Sequence, residues 1–207
     1  MIKLMMKKSE NFLIYGEKEL SYLKSRDKKL ALAIDELGMI RREVRTDHFE
    51  ALAMSIVSQQ ISRKAADSIW NRLKDKFSAV SAPIFANADL DDLHKCGISL
   101  RKAGYIKGIA EAVMNKVIDF DEFTSMGDDE IIKKLSSLPG IGIWTAEMFL
   151  IFSMCRMDVV SWGDLAIRRG MINLYGLKEL TREQFEKYRK RYSPYGSVAS
   201  LYIWASS

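Results

Sequence analysis

Apolar residues recur at the spacing of an α-helix along almost the whole sequence, and this periodicity constrains the fold more than any other feature. No stretch alternates apolar and polar residues for the length of a strand, as a half-buried β-strand would. Hydrophobic residues make up 48% of the 207 residues, which is enough to bury a core in one domain or in two small lobes. The pattern therefore predicts an all-α protein.

Capping and stop signals divide this pattern into roughly nine or ten helices. The first is predicted from about residue 17 to residue 37, because five apolar residues share one face and Gly38 follows as a stop. The five are Leu20, Leu23, Leu30, Ile34 and Leu37. Side chains able to cap later helices are Asp47, Ser62, Ser99, Asp164 and Thr181, and Pro194 can start the last helix.

The charge balance and the terminal segment limit the class of protein. With 32 basic and 27 acidic residues the chain carries a net charge of +5, a mild bias toward acidic partners such as nucleic acid. The apolar run in the N-terminal segment MIKLMMKKSE is too short for a signal peptide. No later segment reaches the ~20 apolar residues of a membrane span. We therefore expect a cytosolic protein that does not enter a membrane.

The cysteine and histidine residues do not form a metal-binding pattern. Cys96 and Cys155 are isolated and lack CxxC spacing, so a disulfide framework and a four-cysteine metal site are both excluded. His48 and His94 lack partners at useful spacing for zinc.

The stretch SLPGIGIWTAEMFLIF, residues 137–152, begins with residues that disfavour a helix. Gly140 and Gly142 permit positive φ and leave no side chain over the backbone amides, so a tight turn before Trp144 can present N–H groups outward. Such a turn at a helix N-terminus binds phosphate without reading base sequence. An ordinary αα-hairpin is the alternative that these glycines alone leave open.

The glycine-containing turn belongs to a set of motifs that occur in order between about residue 17 and the end of the chain. In order, they are FEALAMSIVSQQISRKAADSIWNRL, LRKAGYIKGIAEAV, LPGIGIWTA, DLAIRRG and SPYGSVASLYIW. Together they resemble the helix-hairpin-helix DNA glycosylase superfamily, in which an aspartate follows the hairpin; here Asp164 stands 24 positions after Gly140. The resemblance is greatest to the alkylated-base (3-methyladenine) DNA glycosylase II branch, in the compact form without an N-terminal β domain.

The resemblance implies a two-lobed all-α fold with the active site in the cleft between the lobes. Residues 1–37 with 165–207 would form one lobe, and residues 38–164 the other, including the helix-hairpin-helix at about 128–156. The implied activity is hydrolysis of the N-glycosidic bond of a damaged, alkylated base flipped from duplex DNA, which initiates base excision repair. We expect a monomer whose partner is double-stranded DNA containing a damaged base. If the source is a prokaryote, we expect it in the cytoplasm, associated with the nucleoid.

Cutting an N-glycosidic bond makes the sugar cationic as the base leaves, so the site needs a fixed anion near C1′. By its motif position Asp164 would supply that anion, and a helix N-terminus favours its ionised form. The alternative from local sequence alone is that Asp164 serves only as an N-cap.

The remaining site residues follow from the same resemblance. Base flipping needs a side chain that fills the vacated gap, for which Gln59 and Gln60 are candidates, Gln60 in preference. An alkylated purine is cationic and gains energy from an electron-rich ring. The candidate base pocket comprises Trp144, Met148, Trp162 and Tyr195. The candidate DNA contacts at the hairpin are Gly140, Ile141, Gly142 and Thr145. No cofactor is required, but backbone carbonyls of Ser136, Leu138 and Ile141 are candidates to hold a structural Na⁺ or K⁺.

Departures from the family pattern limit the reaction, the cofactor and the site shape that we expect for this chain. Relatives that also cleave the strand carry a lysine where this chain has Trp144, so no Schiff base can form there and we expect a monofunctional enzyme. No cysteine follows Cys155, so the iron–sulfur cluster of another branch is not expected. Gly163 replaces a second acidic residue and Trp162 a proline, which suggests a differently shaped site mouth.

Two alternatives stay open at this point. A related glycosylase could act on 8-oxoguanine, hypoxanthine or uracil. A helix-hairpin-helix module that only grips duplex DNA would need no catalytic aspartate, and the ordered motif set around Asp164 argues against it.

Overall fold

The computed structural model describes residues 12–207, which form twelve α-helices and one 3₁₀ helix, Glu122–Thr124. The α-helices are α1 (Glu17–Arg26), α2 (Lys28–Leu37), α3 (His48–Ser58), α4 (Arg63–Phe77), α5 (Ala82–Ala86), α6 (Leu90–Lys95), α7 (Leu100–Met114), α8 (Asp128–Ser136), α9 (Ile143–Phe152), α10 (Leu165–Tyr175), α11 (Arg182–Tyr192) and α12 (Gly196–Ala205). This range contains no strand, only an isolated bridge between Phe12 and Glu43. The all-α prediction is confirmed.

Two expectations concern the relation of the chain to membranes. Among residues 12–207, none of the helices combines the length and the hydropathy that crossing a membrane demands. The N-terminal run MIKLMMKKSE, from which we inferred that a signal peptide is absent, lies outside the described residues.

The predicted capping residues begin the helices as expected. Side chains of Asp47, Ser62 and Ser99 accept backbone N–H groups at the starts of α3, α4 and α7. Thr181 caps α11 in a reciprocal arrangement: its Oγ1 accepts the backbone N–H of Gln184, and the Gln184 side chain accepts the backbone N–H of Thr181. The last helix begins at Gly196, two residues after Pro194, so that predicted start was slightly early.

The prediction of one helix from residue 17 to 37 is wrong. Asp27 has an extended backbone, with φ −147° and ψ 111°, and separates α1 from α2. Its Oδ1 accepts the N–H groups of Lys29 and Leu30 at 3.0 and 3.1 Å, which caps α2. Its Oδ2 accepts hydrogen bonds from Tyr175 and Arg191, both at 2.9 Å. Partners distant in sequence thus stabilise the break.

The stripe predicted along this segment is buried except at its end. Leu20, Leu23, Leu30 and Ile34 are buried, whereas Leu37 is 45% exposed. Contrary to the prediction, Leu37, which is the last residue of α2, lies outside the core.

The chain divides into two compact units. The first contains the described chain up to Thr46 together with Met154–Ser207, and in it α10 packs against α2 and α12. The second is Asp47–Ser153, where α7 packs against α3, α5 and α6, and α8 packs against α9.

Residues 38–46 and 154–164, which the sequence analysis placed in the central lobe, lie in the first unit. Hydrogen bonds to α12 hold both segments there. The hydroxyl of a tyrosine in α12 donates to Gly38 O at 3.0 Å, and a backbone N–H of α12 donates to Met157 O at 2.9 Å.

Candidate active site

The helix-hairpin-helix consists of α8, a loop of residues 137–142, and α9. The second helix ends at Phe152, four residues before the predicted Arg156. The loop closes through hydrogen bonds from Leu138 N to Leu135 O at 3.0 Å and from Ile141 N to Leu138 O at 3.2 Å.

The two hairpin glycines differ in their structural role. Gly140 has φ +88°, and a Cβ there would lie 2.8 Å from Cγ of Tyr105 and 3.1 Å from Cδ1 of Ile56. Gly142 has φ −91° and ψ 171°, so it does not use the positive φ that glycine permits. A Cβ on Gly142 would meet no atom within 4 Å. Only Gly140 is therefore required for the turn itself.

The first turn of α9 is open to solvent. Gly142 is its N-cap and has no side chain to accept a backbone N–H. Gly142, Ile143 and Trp144 are all exposed, whereas the side chains of Ile141 and Thr145 are buried. Of the predicted DNA contacts, Ile141 and Thr145 could therefore act mainly through backbone groups. A helix N-terminus with this exposure favours anions.

The candidate cation ligands lie around the same turn. Ser136 ends α8, and Leu138 and Ile141 lie in the loop. The Leu138 carbonyl already accepts one N–H but keeps a second lone pair. In the described part of the chain, no group of three or more His, Cys, Asp or Glu side chains could hold a metal ion.

The two candidate flipping residues lie between α3 and α4 and have different environments. Gln59 is partly buried, and its Nε2 donates to Gly140 O at 2.9 Å. Gln60 is exposed and has φ +58°, one of four positive values among the described non-glycine residues. Gln59 thus ties this connection to the hairpin, and Gln60 carries a side chain at the surface.

Two of the predicted pocket residues lie on α9. Trp144 is 48% exposed in the first turn, and Met148 is partly buried one turn later. Because residues four apart share a helix face, these side chains lie on the same side of α9.

Asp164 lies in the first unit as the N-cap of α10. Its Oδ1 accepts the N–H groups of Ala166 and Ile167 at 2.8 and 3.0 Å, and the residue is 8% exposed. The carboxylate is therefore held in a fixed orientation at the positive end of the helix dipole. The N-cap role of Asp164 is therefore observed.

The segment that leads to Asp164 is anchored on α12. Val159 N donates to Ser197 Oγ at 3.0 Å, and Ser200 Oγ donates to Val159 O at 3.2 Å. On α10 itself, Gly170 packs so closely on the backbone of Ile203 that no side chain would fit. These contacts, which lie before and after Asp164 in the chain, fix the position of its carboxylate within its unit.

The other two predicted pocket aromatics already have partners in the first unit. The Trp162 ring lies edge-on to Phe185 at 5.1 Å, and the guanidinium carbons of Arg168 and Arg182 lie 5.3 and 5.1 Å from its centroid. Tyr195 is the N-cap of α12 and lies edge-on to Tyr22, with centroids 5.2 Å apart.

Lys102 is a residue near the candidate site that sequence reasoning missed. Its Nζ donates to Val57 O at 3.0 Å and to Gln59 O at 2.6 Å, so it holds the end of α3. Burial lowers the pKa of Lys102, and neighbouring Arg101 lowers it further. The sequence offers no signal for this role, because backbone acceptors have no residue signature.

Comparison with known proteins gives the family. Residues 53–194 match the model of the HhH-GPD superfamily of base excision DNA repair proteins. The chain belongs to this superfamily. The matched range contains the hairpin, the Gln59–Gln60 pair and Asp164, which confirms the resemblance inferred from the motifs.

Individual relatives agree with the branch expected from the motifs. DNA-3-methyladenine glycosylase 1 of Schizosaccharomyces pombe is 32% identical over 200 residues, which cover 94% of this chain and 88% of the relative. The crystal structure of a DNA-3-methyladenine glycosidase from Bacillus halodurans has a TM-score of 0.83 and 34% identity, covering 90% of this chain and 88% of that one. The Schizosaccharomyces pombe 3-methyladenine DNA glycosylase in complex with abasic DNA has a TM-score of 0.77 and 32% identity, covering 90% and 95%.

Proposed function

We propose that this member of the superfamily is a monofunctional DNA glycosylase that hydrolyses the N-glycosidic bond of a damaged, alkylated purine flipped from duplex DNA. The observation that carries this proposal is the match, over 90% of the chain, to a 3-methyladenine glycosylase bound to abasic DNA. Abasic DNA is the product that such a hydrolysis leaves. The reaction would initiate base excision repair.

In this proposal Asp164 stabilises the positive charge that develops on the sugar. Its Oδ1 is fixed by two backbone N–H groups, so the carboxylate needs little reorganisation as the charge appears. The partial positive charge at the N-terminus of α10 lies beside this carboxylate. The same carboxylate can orient the attacking water.

The hairpin and the Gln59–Gln60 pair supply the grip on DNA. The exposed, side-chain-free start of α9 suits a backbone phosphate, which is bound without reading sequence. The exposed Gln60 side chain fills the gap that the flipped nucleotide leaves. Flipping costs least for a damaged or weakly paired base, which contributes to selectivity.

Trp144 is the proposed stacking partner of the alkylated base, with Met148 beside it. A cationic purine gains cation–π energy on an accessible indole ring. Trp162 is less suitable, because the two guanidinium groups at its ring would repel a third cation. The proposed substrates are therefore cationic alkylated purines such as 3-methyladenine or 7-methylguanine, which a release assay on a lesion panel with 8-oxoguanine, hypoxanthine and uracil would test. Preference for a neutral lesion would contradict this assignment.

Trp144 also underlies the proposed monofunctional chemistry. An indole offers no amine for a Schiff base with the sugar, so borohydride should trap no covalent protein–DNA adduct. A trapped adduct would contradict the assignment.

The remaining proposals concern the cation and the assembly. Carbonyls of Ser136, Leu138 and Ile141 would hold Na⁺ or K⁺ and bridge to a DNA phosphate; DNA affinity equal in potassium and tetramethylammonium salts at the same ionic strength would exclude this. We also propose a monomer, for which light scattering should give a mass near the 23.7 kDa of one chain. If the source is a prokaryote, the proposed location is the cytoplasm, on nucleoid DNA.

The decisive test is Asp164→Asn. Asparagine is also a good N-cap, so the variant should stay folded and keep its affinity for DNA containing an abasic-site analogue. Its rate of base release should fall on the order of a hundredfold or more. Asp164→Ala is the comparison, since it also loses the cap, worth about 1 kcal/mol. Turnover by Asp164→Asn comparable to wild type would remove Asp164 from this role.

A further inference from the structure

The connection between α3 and α4 holds an exposed glutamine in an unfavourable backbone conformation. Gln60 has φ +58°, in the left-handed region that non-glycine residues rarely adopt. The backbone hydrogen bonds of the connection itself are long, at 3.3 Å from Gln59 N to Ile56 O and 3.5 Å from Ile61 N to Ser58 O. These bonds are too weak to impose the conformation by themselves.

Lys102 supplies shorter contacts at the position where they matter. Its Nζ donates to Gln59 O at 2.6 Å and to Val57 O at 3.0 Å. Gln59 O belongs to the peptide group that joins Gln59 to Gln60, and the orientation of this group sets φ of Gln60. A cation at the C-terminal end of α3 is also favoured by the helix dipole.

A second contact fixes the same connection from the hairpin side. Gln59 Nε2 donates to Gly140 O at 2.9 Å, so the peptide before Gln60 is held by Lys102 and the Gln59 side chain by the hairpin turn. Gln60 is therefore an exposed side chain on a backbone that these two contacts hold in place.

We propose that Lys102 is a positioning residue that holds Gln60 in the conformation needed to fill the gap left by a flipped nucleotide. This inference rests on the proposed function. It does not place Lys102 in contact with the reacting atoms. The loss of Lys102 should therefore matter when a base pair must be opened, and should matter little when the lesion has no pairing partner.

The same helix offers a matched control. Lys107 of α7 is likewise partly buried, and its Nζ donates to Ala88 O at 2.9 Å, a carbonyl outside the α3–α4 connection. Lys107→Met therefore removes the same kind of contact as Lys102→Met without touching Gln60.

The experiment measures single-turnover release of 7-methylguanine from two duplexes. In one the lesion lies opposite cytosine, and in the other opposite an abasic-site analogue. Lys102→Met should be about tenfold slower than wild type on the first duplex and within about twofold on the second. Lys107→Met should stay within about twofold of wild type on both. Because each variant is compared with itself on two substrates, a smaller folded fraction cancels from the ratio.

A double variant tests whether Lys102 acts through Gln60. In the Gln60→Ala background, Lys102→Met should cause no further loss on the paired lesion. An equal loss on both duplexes, no loss on either, or a full additional loss in the Gln60→Ala background would each overturn the inference. If wild type releases 7-methylguanine from neither duplex, the proposed substrate class fails instead, which the wild-type measurement alone reveals.

Discussion

The ring of Tyr105 lies against the α-carbon of Gly140, so closely that a Cβ on Gly140 would stand 2.8 Å from Cγ of the ring. Tyr105 belongs to α7 and Gly140 to the hairpin turn, so this contact packs the turn onto a neighbouring helix of the same unit. The turn is thus tightly packed at Gly140 and open at Gly142, where an added Cβ would meet no atom within 4 Å.

Alanine substitutions should separate these two glycines. Gly140→Ala should lower the free energy of unfolding by about 1–3 kcal/mol, because alanine is strained at φ +88° and its Cβ collides with Tyr105. Gly142→Ala should lower the melting temperature less than Gly140→Ala, but it should weaken binding to duplex DNA, because its methyl group would occupy the open space beside the start of α9 where a phosphate would bind. Thermal melts and fluorescence anisotropy with a duplex check both. Unchanged DNA affinity of Gly142→Ala would contradict the proposed phosphate contact.

The buried Asp27 network should contribute more to stability than an exposed ion pair. The Asp27 side chain is 1% exposed and accepts Arg191 Nη1 at 2.9 Å, so Arg191→Met leaves a buried carboxylate with one partner fewer. We expect a loss of about 1–3 kcal/mol in the free energy of unfolding. The control Lys24→Met breaks the solvent-exposed pair with Asp35 at 2.6 Å and should change little. Equal losses in denaturant titrations would contradict this difference.

Stability should decrease on mild acidification because of His48. Its ring packs against Phe120 and Phe149, and its Nδ1 is 2.8 Å from Ser153 Oγ. Burial lowers the pKa of His48, opposed by smaller effects of nearby Asp47 and Asp121.

The sign of this effect follows from proton linkage. The unfolded chain takes up the His48 proton at about pH 6.5, before the folded chain does, so stability is lost as pH falls from there through the lower folded pKa. His48→Asn can keep a hydrogen bond to Ser153 without the charge, and should lose less stability than wild type between pH 7.5 and pH 5.5. Denaturant titrations at the two pH values measure this. Identical losses in the two proteins would refute the assignment.

Local sequence was sufficient for much of the fold. Ser62, Ser99 and Thr181 each satisfy a backbone N–H within three residues, so their capping role can be inferred without knowing the rest of the chain. The break at Asp27 could not be inferred, because the helical stripe continues through it. Its capping of α2 is local, but its other carboxylate oxygen is paired with residues 148 and 164 positions away.

The candidate site shows the same division. The motifs identified Gln60, Gly140 and Asp164 as candidate site residues, and the role proposed for each follows from its residue type. They did not distinguish the required positive φ at Gly140 from the extended backbone at Gly142, because φ depends on the closed turn. They also gave no sign that Trp162 would be in contact with two arginines.

By itself, the sequence determined the all-α class, most helix starts and the family, since these follow from periodicity, capping and ordered motifs within short segments. The tertiary structure decided which side chains hold the backbone at the candidate site, as Lys102 holds Gln59 O and Ser197 holds Val159 N. The physical reason is that a backbone carbonyl or amide is the same in every residue. Which distant side chain reaches it depends only on how the helices pack.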